Sequence, residues 1–430
     1  MALSKKEHIL CGRSELDYSQ KKMVQSDIEN VYTIEISPKN SIQRGNPIKF
    51  QIDASSDFTN LNLTQLCLSI KLVSSTGEVV MNDDIISPIN NILHSMFSQV
   101  DVTLKNTSCS FPSPNYPYRA YIENLLNYSN ESKNGWLQNE GWYPDEDNLF
   151  DSQNNKGFTD RKSKLLNGAS LQLSGRLHCD LNLQPLLIPS NLDIEYILTP
   201  ARNEFVLQSF MGQDTTYKIE ILEAKMIVHK VKLLTARQTL FEKNIMRNPI
   251  RIPVDQARVQ SISLAAGLTS FKHDSAFTGK LPKALVIGMV ANQSYSGHLE
   301  KNPFNFQHFN LNFLQLTRNG ISIPSQAYNP HFASGQYIRS YQTLSEVTGN
   351  AFLDWHHGIS YKAFASGTAL WSFNLSTDSN CSHNDQIVLG SIDISLKFSV
   401  ALPETVSLIL YSVHDVEIVI DGFRNVLIDS

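Results

Sequence analysis

The chain has 430 residues, 41% of them hydrophobic and 9% aromatic, with 18% charged and a formal net charge of −5. That length exceeds the ~250–300 residues at which a single core stops growing, so two domains are expected. The acidic balance, with no basic domain or stripe, argues against a general nucleic-acid binder. A charged fraction below the usual ~25% suits a subunit with much of its surface covered by neighbours.

Residues 1–30 mix Lys5, Lys6, Arg13, Lys21 and Lys22 with Glu7, Glu15, Asp17, Asp27 and Glu29. This reads as a polar arm; no apolar region follows a basic start, so no secretory signal is expected. Cys11, Cys67, Cys109, Cys179 and Cys381 are odd in number and form no C-x-x-C pair. Free thiols in a reducing compartment are the simplest reading, and the sequons at Asn62 and Asn374 are then expected to stay unmodified. The longest apolar run, ALVIGMVA at 284–291, falls far short of the ~20 residues that span a bilayer.

Beyond the arm, alternation with a period of two dominates. Ile48, Phe50 and Ile52 alternate with polar neighbours, as do Leu66 to Leu72, Val100 to Leu104, Leu171 to Leu177, the run SIDISLKFSV at 391–400, and Val416, Ile418 and Ile420. Each reads as a half-buried antiparallel strand, and their recurrence between Asn, Ser, Gly and Pro clusters predicts a mainly β protein of sandwich type. Helical periodicity is rare. YRAYIENLL (118–126), preceded by Pro117, carries an apolar stripe on Tyr118, Tyr121, Ile122, Leu125 and Leu126; YIRSYQTLS (337–345) carries Tyr337, Tyr341 and Leu344, continued by Val347. Both contain Arg-small-Tyr, at Arg119–Tyr121 and Arg339–Tyr341, and both lie downstream of a Phe-led apolar stretch. A doubled unit is one explanation and chance recurrence the other. If the unit is doubled, each half is a jelly roll of about eight strands, and Tyr121 and Tyr341 are expected to be buried against their own barrels.

Residues 129–168, rich in Asn, Asp, Ser, Lys and Gly, read as a large exposed insertion whose aromatic residues Trp136, Trp142, Tyr143 and Phe150 pack locally or against a neighbouring subunit. Within it PDEDN (144–148) reads as a solvated turn. The locally basic segment 229–249, with Thr235 and Gln238 spaced as a capping box, reads as a helical connector. The expected division is an arm at 1–30, a first unit at 31–230, a connector at 231–248, a second unit at 249–421 and a tail at 422–430.

Nucleophile-elbow, dinucleotide and phosphate-loop motifs are absent from the sequence. Trp355-His356-His357-Gly358 places two histidines on opposite faces of any strand. Cys381-Ser382-His383-Asn384-Asp385 and Leu177-His178-Cys179-Asp180 offer ligand types without a partner cluster at metal spacing. No catalytic, cofactor-binding or metal-ligating residue is therefore expected. Three classes stay open on pattern alone: a self-assembling structural protein, a glycan-binding jelly roll using Trp136 and Trp142, and a cupin-type metal protein using His356 or His357.

Four stretches, SPINNILHSMFSQVDVTLKN (87–106), YPYRAYIENLLNY (116–128), KNPFNFQHFNLNFLQL (301–316) and ALPETVSLILY with IDGFRNVL (401–427), resemble the major capsid protein of Polinton/Maverick elements and adintoviruses, in order from about residue 11 to the C-terminus. The resemblance implies a double jelly roll, two eight-stranded antiparallel sandwiches side by side with short helices and long exposed loops. It implies a homotrimer with six barrels and a nearly hexagonal outline, tiling an icosahedral shell around double-stranded DNA. Partners would be further copies of the trimer, penton and minor capsid proteins, with no sequence-specific nucleic-acid binding and no cofactor. The place would be the virion, assembled inside the host cell. A threefold trimer of a doubled unit meets six neighbours evenly, which is what a doubled unit would be for. The arm and the tail from Arg424 onward are then expected to order on contact with partners.

Overall fold

The computed structural model describes residues 25–43, 45–210, 217–349, 351, 356–376 and 388–429. Strands are numbered in chain order. In the first half, β1 (Ile28–Ile36), β10 (Tyr217–Leu233), β3 (Phe58–Ser74) and β7 (Ser170–Gly175) form one antiparallel sheet in that spatial order. A second contains β2 (Ile48–Ile52), β8 (Ile194–Pro200), β5 (Phe97–Leu104) and β6 (Thr107–Ser108). The alternating residues face inward as the pattern requires: Leu66, Leu68, Ile70 and Leu72 of β3 and Ile48, Phe50 and Ile52 of β2 are buried. A short pair, β4 (Ile86–Pro88) with β9 (Leu207–Ser209), lies outside these sheets.

The second half repeats the scheme. One sheet runs β11 (Ile250–Leu264), β18 (Val406–Ile420), β13 (Ala284–Ala291) and β16 (Leu370–Asn374), extended by β19 (Val426–Asp429) on β18; the other runs β12 (Ser270–Lys280), β17 (Leu389–Phe398), β14 (Leu311–Arg318) and β15 (Ile321–Tyr328). Counting the eight barrel strands along each half, both show the spatial orders 1-8-3-6 and 2-7-4-5. The fold is mainly β, a double jelly roll. The helices Tyr116–Asn127 and Ile338–Val347 occupy the same slot, between the fifth and sixth barrel strands. The doubled unit is therefore a repeat of topology and not of short motifs alone. No described helix is long and apolar enough to cross a membrane.

The two helices differ in surroundings. From Tyr116 to Leu126 every residue of the first is buried, because it lies between the barrels. Tyr121 corrects the expectation of packing on its own barrel: its ring stacks on Phe304 of the second half at 4.1 Å and on Trp142 at 5.1 Å. Tyr341 is half-buried, edge-on to Tyr361 and Phe364, with its hydroxyl donating to the Ile359 carbonyl at 2.9 Å. Arg119 is buried, whereas Arg339 stays exposed, donating to the Gln326 carbonyl at 3.1 Å and lying over Tyr328.

Four further expectations are corrected. Residues 129–168 are not an exposed loop. They form the helices Asn130–Asn134 and Lys156–Ser163 with a 3-10 turn at Trp136–Glu140, and Leu137, Trp142, Phe150 and Phe158 are buried. Their polar residues serve as caps: Ser129 and Asn155 accept from the backbone N–H of Ser132 and Gly157. The segment wedges between the halves. Asp145 accepts from Arg161 at 2.7 Å and from Asn302 at 2.8 Å, so the acidic run is no solvated turn. The Phe150 ring packs against Gly367, a position that must be glycine, since a Cβ there would lie 2.1 Å from the ring. Thr235 is no cap: it opens the helix Thr235–Ile245, and Gln238 donates to the Ser56 carbonyl. The tail needs no partner to order. It pairs with β18 as β19, and Arg424 is buried against the Ser190 carbonyl and Glu242. Of the arm, residues 1–24 lie outside the described residues.

Tyr121→Ala is expected to cost about 3–5 kcal/mol, because it empties an aromatic stack shared by both halves. Tyr341→Ala should cost about 1 kcal/mol. Urea denaturation of both variants checks the difference, and equal losses would contradict the assigned surroundings.

Candidate functional site

A buried cluster of polar and charged side chains lies between the barrels. The first-half helix presents Tyr116, Arg119, Glu123 and Asn124 on one face, by the three- and four-residue spacing of a helix. His94 comes from the short helix Ile92–Ser95, Glu140 from the 3-10 turn, and His178 and Asp180 from the end of the β7 region as it enters the helix Asp180–Leu183. The second barrel adds the N–H of Ala257 on β11 and the hydroxyl of Tyr411 on β18.

Arg119 is the centre. Its Nε donates to Glu123 Oε1 at 2.9 Å, and its Nη2 lies 2.6 Å from Asp180 Oδ1. Glu123 also accepts from the Tyr411 hydroxyl at 3.1 Å and sits 2.5 Å from His178 Nδ1. Asp180 accepts from the Ala257 N–H at 3.1 Å. Both carboxylates of the first half thus reach the second barrel. Alongside, His94 bonds the Tyr116 hydroxyl at 3.0 Å and Glu140 at 3.2 Å, and Asn124 donates to Glu140 at 3.1 Å.

Burial pushes the Glu123 carboxyl up, but Arg119 and His178 outweigh it and hold it at about 2. Burial wins at Asp180, which is raised despite Arg119. At Glu140 burial is overcome by the hydrogen bond from His94, so the carboxyl is lowered; His94 itself is lowered by burial and stays neutral. Burial raises the Cys179 thiol and pushes that of Cys109 up to about 12, which leaves both unreactive. The cavity beside Arg119 and Cys179 measures about 20 Å³, room for one water. The arrangement fastens two barrels; it offers no pocket for a substrate at this point.

A second contact lies at the wedge. Lys133, buried, donates to the carbonyls of Leu125 at 2.7 Å and His357 at 2.5 Å. Burial lowers its pKa to about 7.

The residues weighed from sequence separate. His178 joins the network, and Cys179 is a buried thiol beside it. His356 is exposed against the Tyr341 hydroxyl and His357 is buried and pushed down to about 3 by burial; their rings lie 3.9 Å apart, and among the described residues no third ligand-type side chain groups with them. Trp136 is 54% exposed and Trp142 is 1% exposed, so they form no shared platform. Trp355 and the Cys381–Asp385 cluster lie outside the described residues. Arg119, Glu123, His94 and Glu140 were missed as a set. The Arg119–Glu123 spacing of four was readable as a pair, but nothing in sequence shows that the pair is buried.

No protein-family model matches the chain. An uncharacterised protein of Caenorhabditis elegans, F54H12.2, is 24% identical over 419 residues, 94% of this chain and 99% of that protein. Among solved structures, a chain of the Sputnik virophage aligns over 98% of this chain and 92% of its own length, with a TM-score of 0.66 and 13% identity. The Faustovirus major capsid protein aligns over 96% and 92%, with a TM-score of 0.59 and 9% identity. The mavirus major capsid protein aligns over 100% and 97%, with a TM-score of 0.53 and 10% identity. The chain is similar in fold to these proteins over its whole length.

Glu123→Gln is expected to destabilise by about 3–5 kcal/mol, the cost of leaving buried Arg119 and His178 short of their shared carboxylate; chemical denaturation at pH 7 measures it. Lys133 gives a pH signature. Its folded pKa of about 7 lies below the ordinary 10.5, so between these values the unfolded chain binds more protons and stability rises with pH. Wild type should gain stability relative to Lys133→Met over that window, read from denaturation midpoints at its two ends. A constant difference would contradict the buried, depressed ammonium.

Proposed function

We propose that the chain is the major capsid protein of a Polinton/Maverick-type element or a related virus. Three copies form a homotrimeric hexon with six barrels, and hexons tile an icosahedral shell around double-stranded DNA. The observation that carries the reading is one strand order repeated in both halves, in a chain that aligns almost end to end with a virophage chain and with two viral major capsid proteins. A full-length relative encoded by a nematode supports the integrated-element form. In this reading the segment ahead of β1 is an arm beneath the shell, β1 to β10 and β11 to β18 are the barrels, and the helix Thr235–Ile245 joins them; the bounds expected at 30 and 230 shift because Ile28–Asn30 and Val231–Leu233 pair with each other in the first sheet. Penton and minor capsid proteins are the further partners, and the chain has no catalytic role.

The physical requirement on a hexon also fits. A tile must carry load between neighbours without its two barrels shifting, and a buried charge network with an aromatic stack across the seam supplies that stiffness. Met246, Phe423 and Leu427 stay largely exposed around the connector helix and the C-terminal strand, apolar surface suited to a neighbouring subunit. The glycan-binding alternative loses its platform once Trp142 is buried.

The test is the solution mass of the purified chain by light scattering after size exclusion, with electron micrographs of the same fractions. Trimers of three times the 48.4 kDa chain, or closed shells, are the expected result. A chain lacking residues 1–24, which leaves β1 whole, should still form trimers but not shells. A stable monomer over a range of salt and pH would overturn the reading.

A further inference from the structure

We propose that His94, Glu140 and His178 bind one divalent transition-metal ion, zinc by their ligand chemistry, and that this ion ties together three separate segments of the first half beside the seam.

One ligand-type atom from each residue lies within 4.8 Å of the other two, and all three residues are buried. His94 Nε2 and Glu140 Oε2 are 3.2 Å apart, close to the ~3.3 Å that separates two ligands each ~2.0 Å from a tetrahedral zinc. Small movements of His178 therefore complete a three-residue set. The outer contacts are those a metal site uses. His178 Nδ1 is held by the Glu123 carboxylate and His94 Nδ1 by the Tyr116 hydroxyl, which leaves Nε2 of each ring for a metal; Asn124 steadies Glu140. A ligating histidine almost always has its other nitrogen fixed this way.

Charge argues in the same direction. Glu123, Glu140 and Asp180 are three buried carboxylates, and among the described residues Arg119 is the one guanidinium paired with them. The neighbouring Arg258 bonds Gln256 and lies over Phe111 instead. A surplus of buried negative charge is costly unless compensated, and a divalent cation between the imidazoles and Glu140 compensates it. Two imidazoles with one carboxylate select zinc and its neighbours over calcium or magnesium, which take oxygen ligands. The site is independent of the capsid reading, since it lies within one chain.

The experiment is elemental analysis of the full chain expressed with zinc in the medium and dialysed into metal-free buffer. Retention of about one zinc per chain is expected, falling to under about a tenth in His94→Asn and in His178→Asn. Wild type retaining under about a tenth, or zinc that survives both substitutions, overturns the proposal. Should the variants fail to fold, X-ray absorption of the zinc-loaded wild type decides. A shell containing two imidazoles is the expected result, and a shell without imidazole overturns the assignment. Failure of the chain to form trimers would leave this result unaffected, so the two readings fall separately.

Discussion

A buried guanidinium held between two carboxylates is the constraint on which the junction depends. Arg119 cannot shed its charge, and it is buried. Glu123 and Asp180 must therefore stay within bonding distance of it, and each is also fixed by a group of the second barrel, the Tyr411 hydroxyl and the Ala257 N–H. Sliding one barrel over the other would strip hydrogen bonds from charges that have no solvent to turn to. The aromatic stack of Tyr121 on Phe304 covers the same seam, and it adds burial without adding direction. Apolar packing alone would tolerate small rotations; the charge network does not.

The two halves share one topology, and the seam makes them unequal. The same slot between the fifth and sixth barrel strands holds a helix in each half. In the first half that helix is enclosed by both barrels and the wedge of residues 129–168. In the second it lies on the outer side of its own barrel, where Arg339 stays exposed. Arg-small-Tyr therefore means an internal lock in one half and a surface contact in the other. A doubled unit that is rigid and asymmetric is what a pseudo-hexagonal tile would need: six similar barrels, in three fixed pairs.

The strands were legible because alternation reports directly on a two-faced sheet. The inward sets on β2, β3, β5, β17 and β18 are those read from the sequence, except Val400, which lies past the end of β17 and is 59% exposed. The helices were legible as elements but not as environments. Arg119, Glu123 and Asn124 lie on the helix face that a sequence reading gives to solvent, because only the fold reveals a second barrel on that side. The wedge misled for a related reason: Asn, Asp and Ser read as loop, yet here they cap short helices and bond across the seam, as Asp145 does with Asn302. Thr235 matched a capping spacing, but helix entry was set by β10, which runs on to Leu233. Among the described residues, the histidine cluster that forms draws its members from positions 94, 140 and 178, a spacing that no local motif carries.

The central claim is that the two jelly rolls behave as one mechanical unit through this junction. Scanning calorimetry of the wild-type chain tests it most directly, with and without the substitution Arg119→Met. The account predicts a single cooperative transition for the wild type, in which calorimetric and van't Hoff enthalpies agree, and two separated transitions for the variant. Two transitions already present in the wild type, and unmoved by the substitution, would show barrels that merely lie side by side.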